Sequence, residues 1–146
     1  MEVRSIQEGD IRKCARLYAS VFTSEPWNEE WTEETAFLRL NHFYQSTGFV
    51  GLLAEYDDIV GFVLGHTEPF ENSTIYYLRE MCVMGSIQSK GVGGKLYKAL
   101  DCELAEKSVK SIYLTTERDI PAASFYMKNG FNLSQKMGFY AKSINA

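Results

Sequence analysis

The stretch Gln88-Ser89-Lys90-Gly91-Val92-Gly93-Gly94-Lys95-Leu96 follows a strand-like run, residues 76–84, and opens a helix-like run, residues 96–104. The first backbone N–H groups of a helix have no intrahelical partner and make a ready anion site. Glycines let the backbone approach a phosphate closely and adopt positive φ. The stretch therefore reads as a grip on a phosphorylated molecule. The kind of molecule decides the fold and the function.

Outward from it, the pattern gives one short element after another. Residues 2–6 alternate weakly, as a first strand. Asp10 is placed to cap a helix in which Ile11, Cys14, Ala15, Tyr18 and Phe22 recur at helical spacing. That helix is expected to stop near Thr23, ahead of Pro26. Thr32 reads as the N-cap of a second helix, with Glu33 and Glu34 favourable in its first turn. Residues 48–55 and 59–66 read as strands around a Tyr56-Asp57-Asp58 turn, and residues 74–83 as a third long strand. A helix over 91–107, a strand over 111–116 and a helix over 121–128 follow, with Asp119 as cap and Gly130 as left-handed stop. Residues 132–136 and 138–142 read as two closing strands. The expected order is β-α-α-β-β-β-α-β-α-β-β, an α/β (α+β) chain with a mixed sheet and helices on both faces.

The 146 residues fit one domain, 1–146, with a sizeable core. The net charge of −4 and the lack of a basic stripe argue against a nucleic-acid partner. No apolar run reaches the roughly 20 residues of a membrane span. The N-terminus has no signal-peptide pattern. Cys14, Cys82 and Cys102 lack ligand spacing and read as reduced thiols of a cytoplasmic protein. His42 and His66 are isolated, so no metal site is expected.

Three glycine-rich patterns compete for the opening stretch. A dinucleotide fingerprint requires G-x-G-x-x-G, and Leu96 stands where the third glycine belongs. A Walker A loop requires G-x-x-x-x-G-K-[ST], and Ser89 and Leu96 both break it. The third pattern fits: Gln88-x-x-Gly91-x-Gly93 resembles the acetyl-CoA pyrophosphate motif of the GNAT superfamily of N-acetyltransferases. A second segment, Asp119-Ile-Pro-Ala122-Ala-Ser-Phe-Tyr126-Met-Lys-Asn-Gly130-Phe131, is similar to that family's N-x-x-A-x-x-F-Y-x-K-x-G-F. The resemblance covers nearly the whole chain. It implies the GNAT acyl-CoA N-acyltransferase fold, with a mixed, mostly antiparallel sheet of 6–7 strands flanked by about four helices.

The resemblance also implies roles. Backbone N–H groups of Gly91, Val92, Gly93 and Gly94 would hold the CoA pyrophosphate, flanked by Gln88, Ser89, Lys90 and Lys95. For the lysines, a solvated helix face is the competing explanation. Main-chain groups of Cys82, Val83 and Met84 would line the pantetheine arm and polarise the thioester carbonyl. Cys82 as a nucleophile is disfavoured, since direct transfer needs no acyl-enzyme. Tyr126 matches the family's general acid, and a phenol with a pKa of about 10 can donate at neutral pH; aromatic packing is the alternative. Asp119 stands where the family has Asn, which puts amide contacts to pantetheine in doubt.

Glu80 shares a strand face with Cys82 and Met84 by alternation. A carboxylate among Leu78, Met81 and Val83 is expensive to bury without a purpose. It is a candidate general base and acceptor contact; pairing with Arg79 or a lysine is the competing explanation. Trp27, Glu29 and Glu30 lie in the loop that borders the acceptor pocket in this family, where carboxylates and aromatic walls suit a cationic amine. A helix start with packed tryptophans is the plainer alternative. The Pro26-Trp-Asn-Glu29 run looks like a segment of aminoglycoside 6′-N-acetyltransferases.

The expected activity is transfer of acetyl from acetyl-CoA to a primary amine, either a small cation such as an aminoglycoside or polyamine, or a peptide amine. Direct attack in a ternary complex is expected, without a metal. A homodimer through exposed end strands is a further expectation. Two other classes stay open: a non-catalytic acyl-CoA-binding module, and a protein-interaction domain with a vestigial site.

Overall fold

A computed structural model describes residues 1–88 and 90–145 and divides into two units, Met1–Leu114 and Thr115–Ala146. The first unit carries β1 (Glu2–Ser5), α1 (Ile11–Phe22), α2 (Glu33–Tyr44), β2 (Phe49–Glu55), β3 (Ile59–Phe70), β4 (Ser73–Val83), α3 (Val92–Glu106) and β5 (Ser111–Tyr113). The strands lie in the order β1-β2-β3-β4-β5. Neighbours are antiparallel except β4 and β5, which run parallel and are joined through α3.

Each face of this sheet is covered by helix. Ile11, Cys14, Ala15, Tyr18 and Val21 form the buried stripe of α1, and Ala36, Leu40 and Phe43 that of α2. Both stripes pack on Leu53, Phe62, Leu64 and Cys82 of the strands. Leu96 of α3 lies against Gly61, whose neighbour Phe62 points into the α1/α2 core, so α3 covers the opposite face. Fully buried leucines such as Leu40, Leu53 and Leu100 each contribute about 1.5–3 kcal/mol.

Local signals decide the helix ends. Thr32 caps α2 as expected: its hydroxyl accepts from Thr35 N–H at 3.0 Å, while Thr35 Oγ1 accepts from Thr32 N–H. Asp10 makes no such cap on α1. A 3-10 turn, Glu8–Asp10, precedes that helix, and the Asp10 carboxylate accepts from Gln7 N–H and pairs with Arg4.

β3 runs four residues past the expected end at His66, through Pro69 to Phe70. Beyond His66 it has no β2 neighbour, and a proline is tolerated where one edge is free. Between the pairs Leu64↔Glu80 and Gly65↔Leu78, β4 holds one extra residue, Arg79. This bulge is tightly made: a Cβ on Gly65 would run into the Tyr77 carbonyl and the Tyr76 ring.

The second unit holds α4 (Pro121–Lys128). Its N-cap is Ile120, and Asp119, the expected cap, sits at φ 62 one residue earlier without a capping bond. Gly130 ends the helix in the left-handed region, φ 95, as expected.

The two expected closing strands are absent among the described residues, so the sheet has five strands rather than 6–7. Ser134 Oγ accepts from the N–H groups of Lys136 and Met137 at 3.2 and 2.9 Å. That local turn takes backbone donors a ladder would need. Met137, Phe139, Tyr140 and Ile144 are 75–93% exposed, so no apolar face anchors a strand there.

Candidate active site

From Gly91 onward the opening stretch folds as a helix start. Gly91 is the N-cap of α3 at φ 83, in the left-handed region where a side chain is strained. The first helical bond closes from Lys95 N–H to the Gly91 carbonyl at 3.1 Å, so the N–H groups of Val92, Gly93 and Gly94 precede it. Among the described residues no side chain caps them, and no acidic residue stands in the first turn. A Cβ added at Gly91 or Gly94 would meet open space, which is the room a phosphate group needs. Lys90 and Lys95 are exposed. Gln88 turns back, donating from Nε2 to the Val83 carbonyl at 3.0 Å. Ser89 lies outside the described residues.

Beside this turn, β4 has an open edge. β5 pairs only with Ile75, Tyr76 and Tyr77, which leaves residues 78–83 without a strand on that side among the described residues. Met84 N–H donates to the Val60 carbonyl at 2.8 Å. Antiparallel ladders alternate, so the Phe62↔Cys82 and Leu64↔Glu80 pairs are also bonded to β3, whereas Val83 and Met81 turn their main-chain groups to the open edge. Of Cys82, Val83 and Met84, Val83 thus turns its main-chain groups to the open edge, as Met81 does, and the Val83 carbonyl meets Gln88 Nε2 there. The Met84 N–H is spent on Val60, and Cys82 is paired with Phe62 of β3. The outward turn of Met81 is not readable from the sequence, because hydrogen-bond phase along a strand leaves no mark on residue type. Burial raises the Cys82 thiol pKa well above its ordinary value, which leaves it a poor nucleophile.

Glu80 lies on the α1/α2 face, 10% exposed, with both oxygens engaged. Tyr18 Oη donates to Oε1 at 3.0 Å, and Arg39 Nε donates to Oε2 at 2.9 Å. The ion partner is thus Arg39 of α2, neither Arg79 nor a lysine. Burial pushes the carboxyl pKa up, while Arg39 and Tyr18 pull it back. Burial also raises the Tyr18 hydroxyl. Arg79 is on the same face, because the bulge breaks alternation: its guanidinium stacks on Phe43 of α2 and on Tyr77.

The loop before α2 joins this cluster through rings. Trp31 meets Tyr18 edge-on at 5.1 Å and donates from Nε1 to Glu29 at 2.8 Å. Trp27 is half-buried against Phe22, whose ring packs on Tyr18. The structure thus brings Trp27, Glu29 and Glu80 into one connected set. Glu30 is exposed. The neighbouring Glu33 and Glu34 are less available than the acidic run suggests, since Arg16 and Arg12 of α1 bridge to them at 3.4 and 2.9 Å.

Tyr126 and Asp119 belong to the second unit. The Tyr126 ring is half-buried, edge-on to Phe125 and Phe131 at 5.4 Å each. Among the described residues, no three His, Cys, Asp or Glu side chains gather as a metal set, and no helix is long and apolar enough to cross a membrane.

No curated relative matches the chain by sequence. Its backbone is similar to an integron cassette protein from the mobile metagenome of V. cholerae, with TM-score 0.81 and 19% identity over 99% of this chain and 93% of that one. It is also similar to aminoglycoside acetyltransferase meta-AAC0020 from an uncultured soil metagenomic sample, solved with sisomicin: TM-score 0.76, 17% identity, 99% and 96% covered. A third similar structure is aminoglycoside N-acetyltransferase AAC(6')-Iy in complex with CoA: TM-score 0.74, 16% identity, 98% and 95% covered. At these identities the likeness speaks for the fold. The family model for the acetyltransferase (GNAT) family matches residues 12–131. That match takes in the Gln88–Gly93 motif and the Tyr126 segment alike, and the chain belongs to the acetyltransferase (GNAT) family.

Proposed function

We propose that this acetyltransferase takes its acetyl group from acetyl-CoA and passes it to a primary amine by direct attack in a ternary complex. The observation that carries this is the conjunction of two features. One is the set of three N–H groups leading α3, with open space at Gly91 and Gly94. The other is the edge of β4, unpaired among the described residues, that ends at Val83 beside the same turn. An anion grip next to an open strand edge suits a long donor anchored by its pyrophosphate, with its arm lying along Val83 and Met81. Gly91, Val92, Gly93 and Gly94 hold the pyrophosphate in this reading, and Gln88 acts indirectly by fixing the Val83 carbonyl.

Glu80 is the proposed base. It takes one proton of the ammonium acceptor, the freed amine attacks the thioester carbonyl, the C–N bond forms, the C–S bond breaks, and the second nitrogen proton leaves to solvent as the amide forms. Tyr126 is the proposed acid for the departing sulfur, supported by its position in the segment similar to the family's. Trp27, Glu29 and Glu30 are proposed to border the acceptor. Residues 1–146 are proposed to work as one catalytic domain, because the family match runs through both units. A cytoplasmic homodimer is the proposed setting.

The test is release of free CoA from acetyl-CoA across a panel of amines, beside calorimetric binding of acetyl-CoA. Tight binding with no release for any amine would return the chain to a non-catalytic acyl-CoA-binding module. Absence of binding would sink the donor assignment itself.

A further inference from the structure

Arg79 Nε is a buried side-chain nitrogen that has no hydrogen-bond partner among the described residues. The guanidinium is stacked by two rings, 4.7 Å from the Phe43 centroid and 4.2 Å from that of Tyr77. Stacking occupies the faces of the planar group and leaves its N–H rim, five donors in a fixed fork, for an acceptor in its plane.

The carboxylates nearby are already engaged. Glu80 holds Tyr18 on one oxygen and Arg39 on the other. Glu68 accepts from the Tyr113 hydroxyl, and its second oxygen stands 4.0 Å from His66 Nδ1. Arg39 takes the Glu80 oxygen that Tyr18 leaves, so Glu80 does not satisfy Arg79 Nε. A desolvated guanidinium nitrogen without an acceptor is unfavourable, and a coplanar carboxylate is the group that satisfies it with two parallel bonds. The bulge is what creates the arrangement. Without the extra residue in β4, Arg79 would point to the α3 face, away from Glu80.

We propose that Arg79 binds the carboxylate of the acetyl acceptor, so that the acceptor is a free amino acid whose amine is presented to Glu80 while its carboxylate is held by the Arg79 fork. This rests on the acetyl-transfer reading and narrows it: polyamines and aminoglycosides, which carry no carboxylate, are poor acceptors. Arg79 is then a specificity-determining residue beside the base.

The experiment pairs binding with turnover. Wild type, Arg79→Gln and Arg79→Lys, each saturated with CoA, are titrated by ligand-observed NMR with the twenty common amino acids and with their C-terminal amides. CoA release from acetyl-CoA is measured on the same panel plus spermidine. Wild type should bind one or more amino acids about ten- to a hundredfold more tightly than the matching amides. Arg79→Gln should erase that preference, and Arg79→Lys should restore part of it, because a point charge lacks the fork. Equal binding of acids and amides by wild type, a preference that survives Arg79→Gln, or no binding by any amino acid would each overturn the proposal. The wild-type comparison decides even if a variant fails to fold. Efficient turnover of spermidine and the amides would overturn the carboxylate site and leave acetyl transfer standing. Carboxylate-selective binding without any CoA release would do the reverse.

Discussion

Tyr18 of α1 donates a 3.0 Å hydrogen bond to Glu80 of β4, across 62 residues of sequence. With Arg39 on the other oxygen at 2.9 Å, one buried carboxylate ties both helices of this face to β4. The arrangement fixes the orientation of Glu80 and sets opposing influences on its proton. Burial favours the neutral acid, and the two donors favour the anion. Tyr18 and Arg39 are positioning residues in this account, and Glu80 is the group whose charge they regulate.

Removing one donor should therefore move a measurable pKa. Tyr18→Phe keeps the ring packing on Trp31 and deletes the bond, which favours the neutral acid further. The acid limb of kcat/KM, already above the ordinary glutamate value of about 4.3, should shift to higher pH. Glu80→Gln should abolish that limb and lower kcat by about 10²–10⁴-fold. A pH–rate series on wild type and the two variants checks both; a normal rate and an intact limb in Glu80→Gln would exclude Glu80 as the base.

Much of this was readable from residue type. The failure of two glycine-rich patterns at Leu96, and the fit of Gln88, Gly91 and Gly93 to a third, located the α3 start. The spacing of Ile11, Cys14, Ala15 and Tyr18 located α1. Glu80 was legible as an oddity because burying a carboxylate is costly wherever it occurs. What stayed hidden depends on register and on long-range partners. Alternation alone sends Arg79 to the wrong face, since a bulge is a property of two strands together. The assignment of Val83 and Met81, rather than Cys82 and Met84, to the open edge follows from one backbone bond, Met84 to Val60. The expected strand over residues 132–136 gives way to a local turn, in which the Ser134 hydroxyl takes two backbone N–H groups.

The α3 start separates two glycines by backbone geometry. Gly91 at φ 83 should lose about 1–2 kcal/mol on substitution by Ala. Gly94, inside the first turn with open space around it, should gain roughly 0.5–1 kcal/mol from the same change. Denaturant melts of the two variants check the contrast. Gly93→Glu, which adds bulk and negative charge among the leading N–H groups, should abolish acetyl-CoA binding in calorimetry. Unchanged affinity would show that the pyrophosphate lies elsewhere.

Acid stability should report on Asp10. Arg4 forks onto it at 2.8 and 3.0 Å and holds its pKa below the usual carboxylate range. A lowered folded pKa stabilises above the unfolded value, about 3.9, and the contribution fades as pH falls through the folded one. Asp10→Asn should thus cost about 1 kcal/mol near neutrality, screening at the partly exposed Arg4 included. The gap from wild type should close in strong acid. Glu80 has the opposite sign: its raised pKa contributes below about 4.3 and loses that contribution as pH rises through the folded value. Chemical melts at several pH values distinguish the two, and a constant gap for Asp10→Asn would refute the assignment.

Tyr126 offers a test that separates packing from proton transfer. Its ring sits edge-on to Phe125 and Phe131, 5.4 Å from each centroid. Tyr126→Phe leaves those ring contacts and removes the hydroxyl. If the phenol protonates the leaving sulfur, kcat should fall by about 10²–10⁴-fold while KM for acetyl-CoA barely changes. If the residue only packs, kcat should persist. A pre-steady-state measurement adds a further check, because slow sulfur departure makes the chemical step limiting and removes any burst of acetylated product. An unchanged kcat would take Tyr126 out of the mechanism.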